Sequence, residues 1–290
     1  FLKITIYYYN ITNILYMSSK HQIYLISDST GETIDRIFLA IKAQFQDFQY
    51  EDHQYSFTRT ENQIKRILEL AKKHQHPIIL YTIVDDQIAN FLENEARKLK
   101  IPCFGVLGKL IENFSQIIKR TASYTPSAQY KLNDEYYKKI EAIQFTMDHD
   151  DGNSLSDIEK SDIILLGVSR TSKTPTAIYL ANRGFKTANI PMINEKSIPN
   201  FLKENPKEKC VVGLTLEPTR LTEVRKNRMN SLKENHSIDY TNEEKVEIEI
   251  KNAKKTFRKY QWPVVDVTRK SVEETAASII KIYEIKRENG

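Results

Sequence analysis

Two cysteines in 290 residues, Cys103 and Cys210, stand far apart, and neither belongs to a C-x-x-C pair. That excludes a disulfide framework and the usual cysteine-rich zinc sites, and makes a reducing, cytoplasmic setting the simplest expectation. An excess of one charge is also lacking. Lys and Arg number 43 against 38 Asp and Glu, a net +5 too dispersed for a dedicated nucleic-acid surface. The apolar stretch Phe1 to Tyr16 is broken by Lys3, Asn10 and Asn13, whereas a membrane span needs about 20 mostly apolar residues. It also lacks the basic start and small-residue cleavage site of a secretory signal. Neither nucleic acid nor membrane is therefore an expected partner. No internal repeat or low-complexity tract interrupts the chain. The 40% hydrophobic content suffices for one large core or two smaller ones. Met17 reads as the functional start, and residues 1–21 as an extension without function.

From Gln22 onward, short β-branched runs alternate with longer helical patterns, the signature of an α/β fold on a mainly parallel sheet. Ile23-Tyr24-Leu25-Ile26 reads as a buried strand. Ile34, Ile37, Phe38, Ile41, Phe45 and Phe48 follow at helical steps as core. A helix over 62–73, a strand over 77–84, a helix over 87–98 and a short strand near 102–106 complete an N-terminal α/β lobe, residues 22–130. The polar stretch around Ser123, Thr125, Pro126 and Ser127 reads as a linker. A second α/β lobe, 131–290, opens with a helix over 135–147. Its strands are expected at 163–166, 187–193, 210–215 and 264–267. Val246, Ile250, Ala253 and Phe257 mark one buried face of the charged run 242–259, and an apolar face on the final helix suits a homodimer.

The most informative stretch is Gly167-Val168-Ser169-Arg170-Thr171-Ser172-Lys173-Thr174-Pro175, between a buried strand and a helix start. Gly167, Lys173 and Thr174 match G-x-x-x-x-G-K-[S/T], in which backbone amides surround phosphate, Lys neutralises it and the hydroxyl holds Mg²⁺. Ser172 replaces the second glycine, although a residue with Cβ is less free to adopt positive φ.

These residues, with Ile178-Tyr179-Leu180-Ala181 and Gly184 to Pro191, resemble the pyruvate, phosphate dikinase regulatory proteins and their phosphoenolpyruvate synthase counterparts. Further matching motifs are Tyr24 to Thr33, Ala43-Gln44-Phe45, Ile140 to Phe145, His149-Asp150-Asp151-Gly152, Gly213-Leu214-Thr215, Arg225 with Arg228, and Asp266 to Ala276. Serine in place of the second loop glycine belongs to the family's pattern, whereas Gln144 and Lys138-Lys139 depart from it. The resemblance implies a bifunctional enzyme. ADP would phosphorylate a threonine of the dikinase and inactivate it, and inorganic phosphate would remove that group as pyrophosphate.

Residues 168 to 173 are thus expected to bind the ADP phosphates, Lys173 to bridge the transferred group and Thr174 to bind Mg²⁺. A kinase also needs a proton acceptor. Asp150, Asp151 and His149 are the candidates, against the simpler reading of a tight turn. Asp266, ending a β-branched strand, is a candidate second metal residue or a helix cap. Ser27 to Gly31 could hold a second anion or merely cap a helix, and Arg225 with Arg228 could grip phosphate. Two rivals stay open: a nucleotide-sensing module without chemistry, and an ATP-dependent small-molecule kinase.

Overall fold

The computed structural model describes residues 20–130, 132–152, 157–232 and 238–289. Met17, the extension before it and Asn153 at the end of the acidic turn lie outside the described residues. Two compact units result, Phe1–Lys131 and Leu132–Gly290.

The first unit runs β1 (His21–Ser27), α1 (Glu32–Lys42), β2 (Tyr50–Tyr55), α2 (Glu61–Ala71), β3 (Pro77–Thr82), α3 (Asp86–Lys98), β4 (Cys103–Gly105) and α4 (Gly108–Ile118). Its four strands are parallel, in the order β2-β1-β3-β4. Alternation along β1 feeds two cores: Tyr24 and Ile26 pack with α2 and α3, and Ile23 and Leu25 with Ile34 and Phe38 of α1. Burial on both faces is why this strand is apolar throughout. One expectation fails here and one strand carried no signal. Helix α1 ends at Lys42, so Phe45, 61% exposed, is not core, and Ile41 near the helix end is exposed as well. Strand β2, Tyr-Glu-Asp-His-Gln-Tyr, gives no apolar signal because it is a sheet edge, where charge is tolerated and discourages pairing with other chains.

The second unit runs α5 (Asp134–Asp148), β5 (Ile163–Gly167), α6 (Lys173–Asn182), β6 (Thr187–Pro191), α7 (Asn200–Glu204), β7 (Cys210–Thr215), α8 (Pro218–Leu232), α9 (Glu243–Lys259), β8 (Val264–Asp266) and α10 (Val272–Asn289). Its sheet is again parallel, in the order β6-β5-β7-β8. The two units therefore repeat one topology that their sequences do not repeat. In each, the first strand lies between the second and the third, so the chain leaves neighbouring strand ends in opposite directions. The resulting crevice at the carboxyl ends is where sheets of this kind take ligands. In the second unit that crevice lies beyond β5 and β7.

Val246, Ile250, Ala253 and Phe257 of α9 are buried as their spacing predicts. Ala276 and Ile279 of α10 are buried in the same core, with Ile282 and Tyr283 packed on it, so much of this apolar face is used within its own lobe. Helix α9 approaches β7 at Gly213, where an added Cβ would lie 2.6 Å from the Phe257 ring. Gly213→Ala should therefore cost about 1–3 kcal/mol through overpacking, read as a lower urea midpoint with an unchanged denaturant slope.

Candidate active site

Strand β5 is buried along its whole length and delivers the chain to a tight loop before α6. A Cβ at Gly167 would meet Thr171 Oγ1 at 2.7 Å and the Leu214 carbonyl at 2.8 Å, so glycine is required by close approach. Thr171, fully buried, donates to the Val168 carbonyl at 3.0 Å. Arg170 and Ser172 both adopt left-handed backbone, φ 73° and 58°. Ser172 thus occupies the conformation that glycine would reach without strain, at a cost of about 1–2 kcal/mol. Helix α6 begins at Lys173, leaving first-turn amides with no intrahelical acceptor.

Lys173 is only 5% exposed and its Nζ donates to the Val168 carbonyl at 3.0 Å. Burial pulls its ammonium down to about 8, against the charges of Asp151 and Asp150, which hold it up.

The acidic turn that follows α5 is pinned to β6 by backbone. Asn189 donates its amide to the His149 carbonyl at 3.0 Å, and the Gly152 amide donates to the Asn189 carbonyl at 3.1 Å. Side chains complete the junction. Asp150 Oδ1 accepts from Thr174 Oγ1 at 3.0 Å and from Asn189 Nδ2 at 2.6 Å. The same Nδ2 lies 3.0 Å from Thr174 Oγ1 and 3.4 Å from Asp151 Oδ1. Asn189 itself is fully buried, and its Oδ1 has no hydrogen-bond partner. The structure therefore brings Asp150, Asp151, Thr174 and Lys173 to one place. The reading of the sequence missed Asn189; the polar residue inside the apolar run Ala188-Asn189-Ile190 is the signal that could have found it.

Other candidates fall elsewhere. His149 directs Nδ1 at the Phe145 carbonyl, 2.7 Å away, and stacks on the Phe145 ring at 4.0 Å. A carbonyl only accepts, so Nδ1 carries the proton, and the imidazole closes the end of α5. Asp266 lies on β8, two strands from β5, exposed, with Oδ1 taken by the amide and hydroxyl of Thr268. It caps no helix: Ser271 does that for α10, in reciprocal bonds with Glu274. Arg225 is 2% exposed, with its guanidinium on the Ser169 and Tyr240 carbonyls and on Glu249 at 2.8 Å, while Arg228 is exposed. The guanidinium of Arg225 is thus taken up by protein acceptors and braces the loop.

In the first unit, Ser27 to Gly31 occupies the topologically equivalent loop. Its groups satisfy one another: Asp28 accepts from the Val84 amide at 2.7 Å, Ser29 meets Ser127 at 2.9 Å and Thr30 meets Tyr130 at 2.8 Å. The cavity there is about 30 Å³, room for one water.

Among the described residues no cluster of three or more His, Cys, Asp or Glu suits a metal ion. Mg²⁺ needs none, since it typically takes one or two protein oxygens together with substrate phosphates. Thr174 Oγ1 and Asp150 Oδ1 are such a hard-oxygen pair, and they fit it.

A family profile described as kinase/pyrophosphorylase matches residues 23–280. A protein of Pelagibacter ubique (strain HTCC1062), named "Putative pyruvate, phosphate dikinase regulatory protein", is 66% identical over 94% of this chain and 100% of its own length. Proteins of the same name from Sphingopyxis alaskensis and from the Wolbachia of Brugia malayi are 45% and 40% identical, covering 92% and 91% of this chain and 98% and 97% of their own. No helix among the described residues is long and apolar enough to cross a membrane.

The lysine's burial sets a pH test. Lys173 titrates near 10.5 unfolded and about 8 folded, so its cost is complete below pH 8 and vanishes as pH rises toward 10.5. Wild type should gain stability across that window. Lys173→Met should lose that slope and be about 1–3 kcal/mol more stable at pH 7, measured as the difference between the two urea-unfolding curves at each pH.

Proposed function

The chain belongs to the kinase/pyrophosphorylase family, and from that premise we propose that it reversibly phosphorylates a threonine of pyruvate, phosphate dikinase. In one direction the threonine hydroxyl attacks the β-phosphorus of ADP, AMP leaves and the target is inactivated. In the other, inorganic phosphate attacks the phosphothreonine, pyrophosphate leaves and the free threonine is restored. The observation that carries this reading is the junction of acidic turn and loop, in which Asn189 and Thr174 hold Asp150 beside Lys173 and leave Asp151 exposed.

Phosphoryl transfer calls mainly for positioning and neutralisation of the charge on the moving group. Loop amides from Val168 to Lys173 cradle the diphosphate, and Lys173 faces the transferred phosphoryl. A buried ammonium is suited to this, because the negative ligand replaces the solvation that folding removed. Thr174 and Asp150 would hold Mg²⁺, which supplies further neutralisation of phosphate charge. The metal role first expected of Asp266 passes to Asp150 on position alone. Asp151, exposed and on a left-handed backbone, φ 50°, accepts the threonine proton and gives a proton to the departing threonine oxygen in the return reaction. His149 shapes the turn.

The direct test supplies ADP labelled at the β-phosphate to the protein together with pyruvate, phosphate dikinase or phosphoenolpyruvate synthase. Label should appear on a dikinase threonine and leave as pyrophosphate when inorganic phosphate is added. Lys173→Ala should abolish the transfer. Asp151→Asn should lower kcat about 100-fold or more, the scale of general-base catalysis, with KM for ADP little changed. Saturable ADP binding without transfer would sink the reading in favour of a sensing module, and transfer from ATP alone would favour an ordinary kinase.

A further inference from the structure

A phosphate loop grips a diphosphate, so the nucleoside of the donor must rest on other surface. Beside the loop, a cleft of about 430 Å³ opens between the segment following β6 and helix α9, within the range of small-molecule sites, about 300–1,000 Å³. Both of its walls are tied to the loop. Met192 donates its amide to the Gly167 carbonyl at 2.9 Å. Glu249 accepts from Arg225 at 2.8 Å, and Arg225 donates to the Ser169 carbonyl at 3.2 Å. One guanidinium thus joins a loop carbonyl to a carboxylate that lines the cleft.

The lining suits a neutral heterocycle and a sugar better than a second phosphate. Met192 and Ala253, both nearly buried, provide an apolar floor. Asn252 offers an amide donor and an amide acceptor, the two functions on a purine edge, and Asn194, whose Oδ1 accepts from the Lys196 amide at 2.8 Å, adds an amide donor. Glu249 supplies a carboxylate of the kind that takes ribose hydroxyls in nucleotide sites. Formal charge cancels, with Glu195 and Glu249 against Lys255 and Lys259, and Glu195 already paired with Lys259.

Resting on the phosphotransfer reading, we propose that this cleft holds the adenosine half of ADP, so that diphosphate and nucleoside are bound by separate surfaces. One consequence is specific. The return reaction uses inorganic phosphate and forms pyrophosphate, neither of which carries a nucleoside, so the cleft serves one direction only.

Asn252→Trp places a large ring in the cleft from an exposed position, and Lys255→Trp, equally exposed, is the second variant. In the full chain each should raise KM for ADP tenfold or more, while KM for inorganic phosphate and the rate of pyrophosphate release stay within twofold of wild type. An unchanged KM for ADP overturns the proposal. So does an equal loss in both directions, which marks damage to the loop, or a raised KM for the target protein, which marks a docking surface. Should wild type transfer no phosphoryl group, the phosphotransfer reading fails, and calorimetry decides the cleft by itself. ADP should then bind tenfold more weakly to the variants and pyrophosphate equally well, and any other pattern overturns it.

Discussion

Lys173 carries a charge that the fold holds almost out of water, with its ammonium on the Val168 carbonyl and two carboxylates nearby. A cation in that position is costly without a counter-charge, and the surrounding construction keeps it there. Gly167 admits the close passage of the Leu214 backbone, Thr171 ties the loop to itself, and Arg225 donates to the Ser169 carbonyl. Asp150 and Asp151 reduce the lysine's penalty without contacting it. The remaining cost is one that a bound anion would offset.

The acidic turn is held near this lysine by Asn189 and Thr174. Asn189 uses both backbone groups to hold the turn against β6 and its side-chain amide to join Asp150 and Thr174. Strand β6 pairs with β5 through Leu165 and Asn189, so the register of the sheet itself sets where the carboxylates stand. The geometry of this site is a product of parallel strand pairing as much as of the loop.

Two sheets of the same strand order carry two loops at the same topological position, and their chemistry separates them. The loop after β5 has a buried lysine, a braced backbone and carboxylates at its mouth. The loop after β1 has Asp28, pushed up by burial and partly pulled back by the Val84 amide, with hydroxyls bonded to one another. Backbone topology supplies a crevice in both units; the side chains decide which one invites an anion.

The alternation of β-branched and helical runs determined the α/β class, and the G-x-x-x-x-S-K-T spacing marked the loop between β5 and α6, because both are local patterns that neighbouring residues impose on each other. Edge strand β2 was illegible, since a half-solvated strand needs no apolar signal, and so was the repeated topology, which resides in strand order. Only tertiary structure separated Asp150 from Asp266, enlisted Asn189 and turned Arg225 from a phosphate clamp into a buried brace. Those assignments depend on residues 15 to 56 positions apart meeting in the folded lobe, and no spacing in the chain encodes which strands lie side by side.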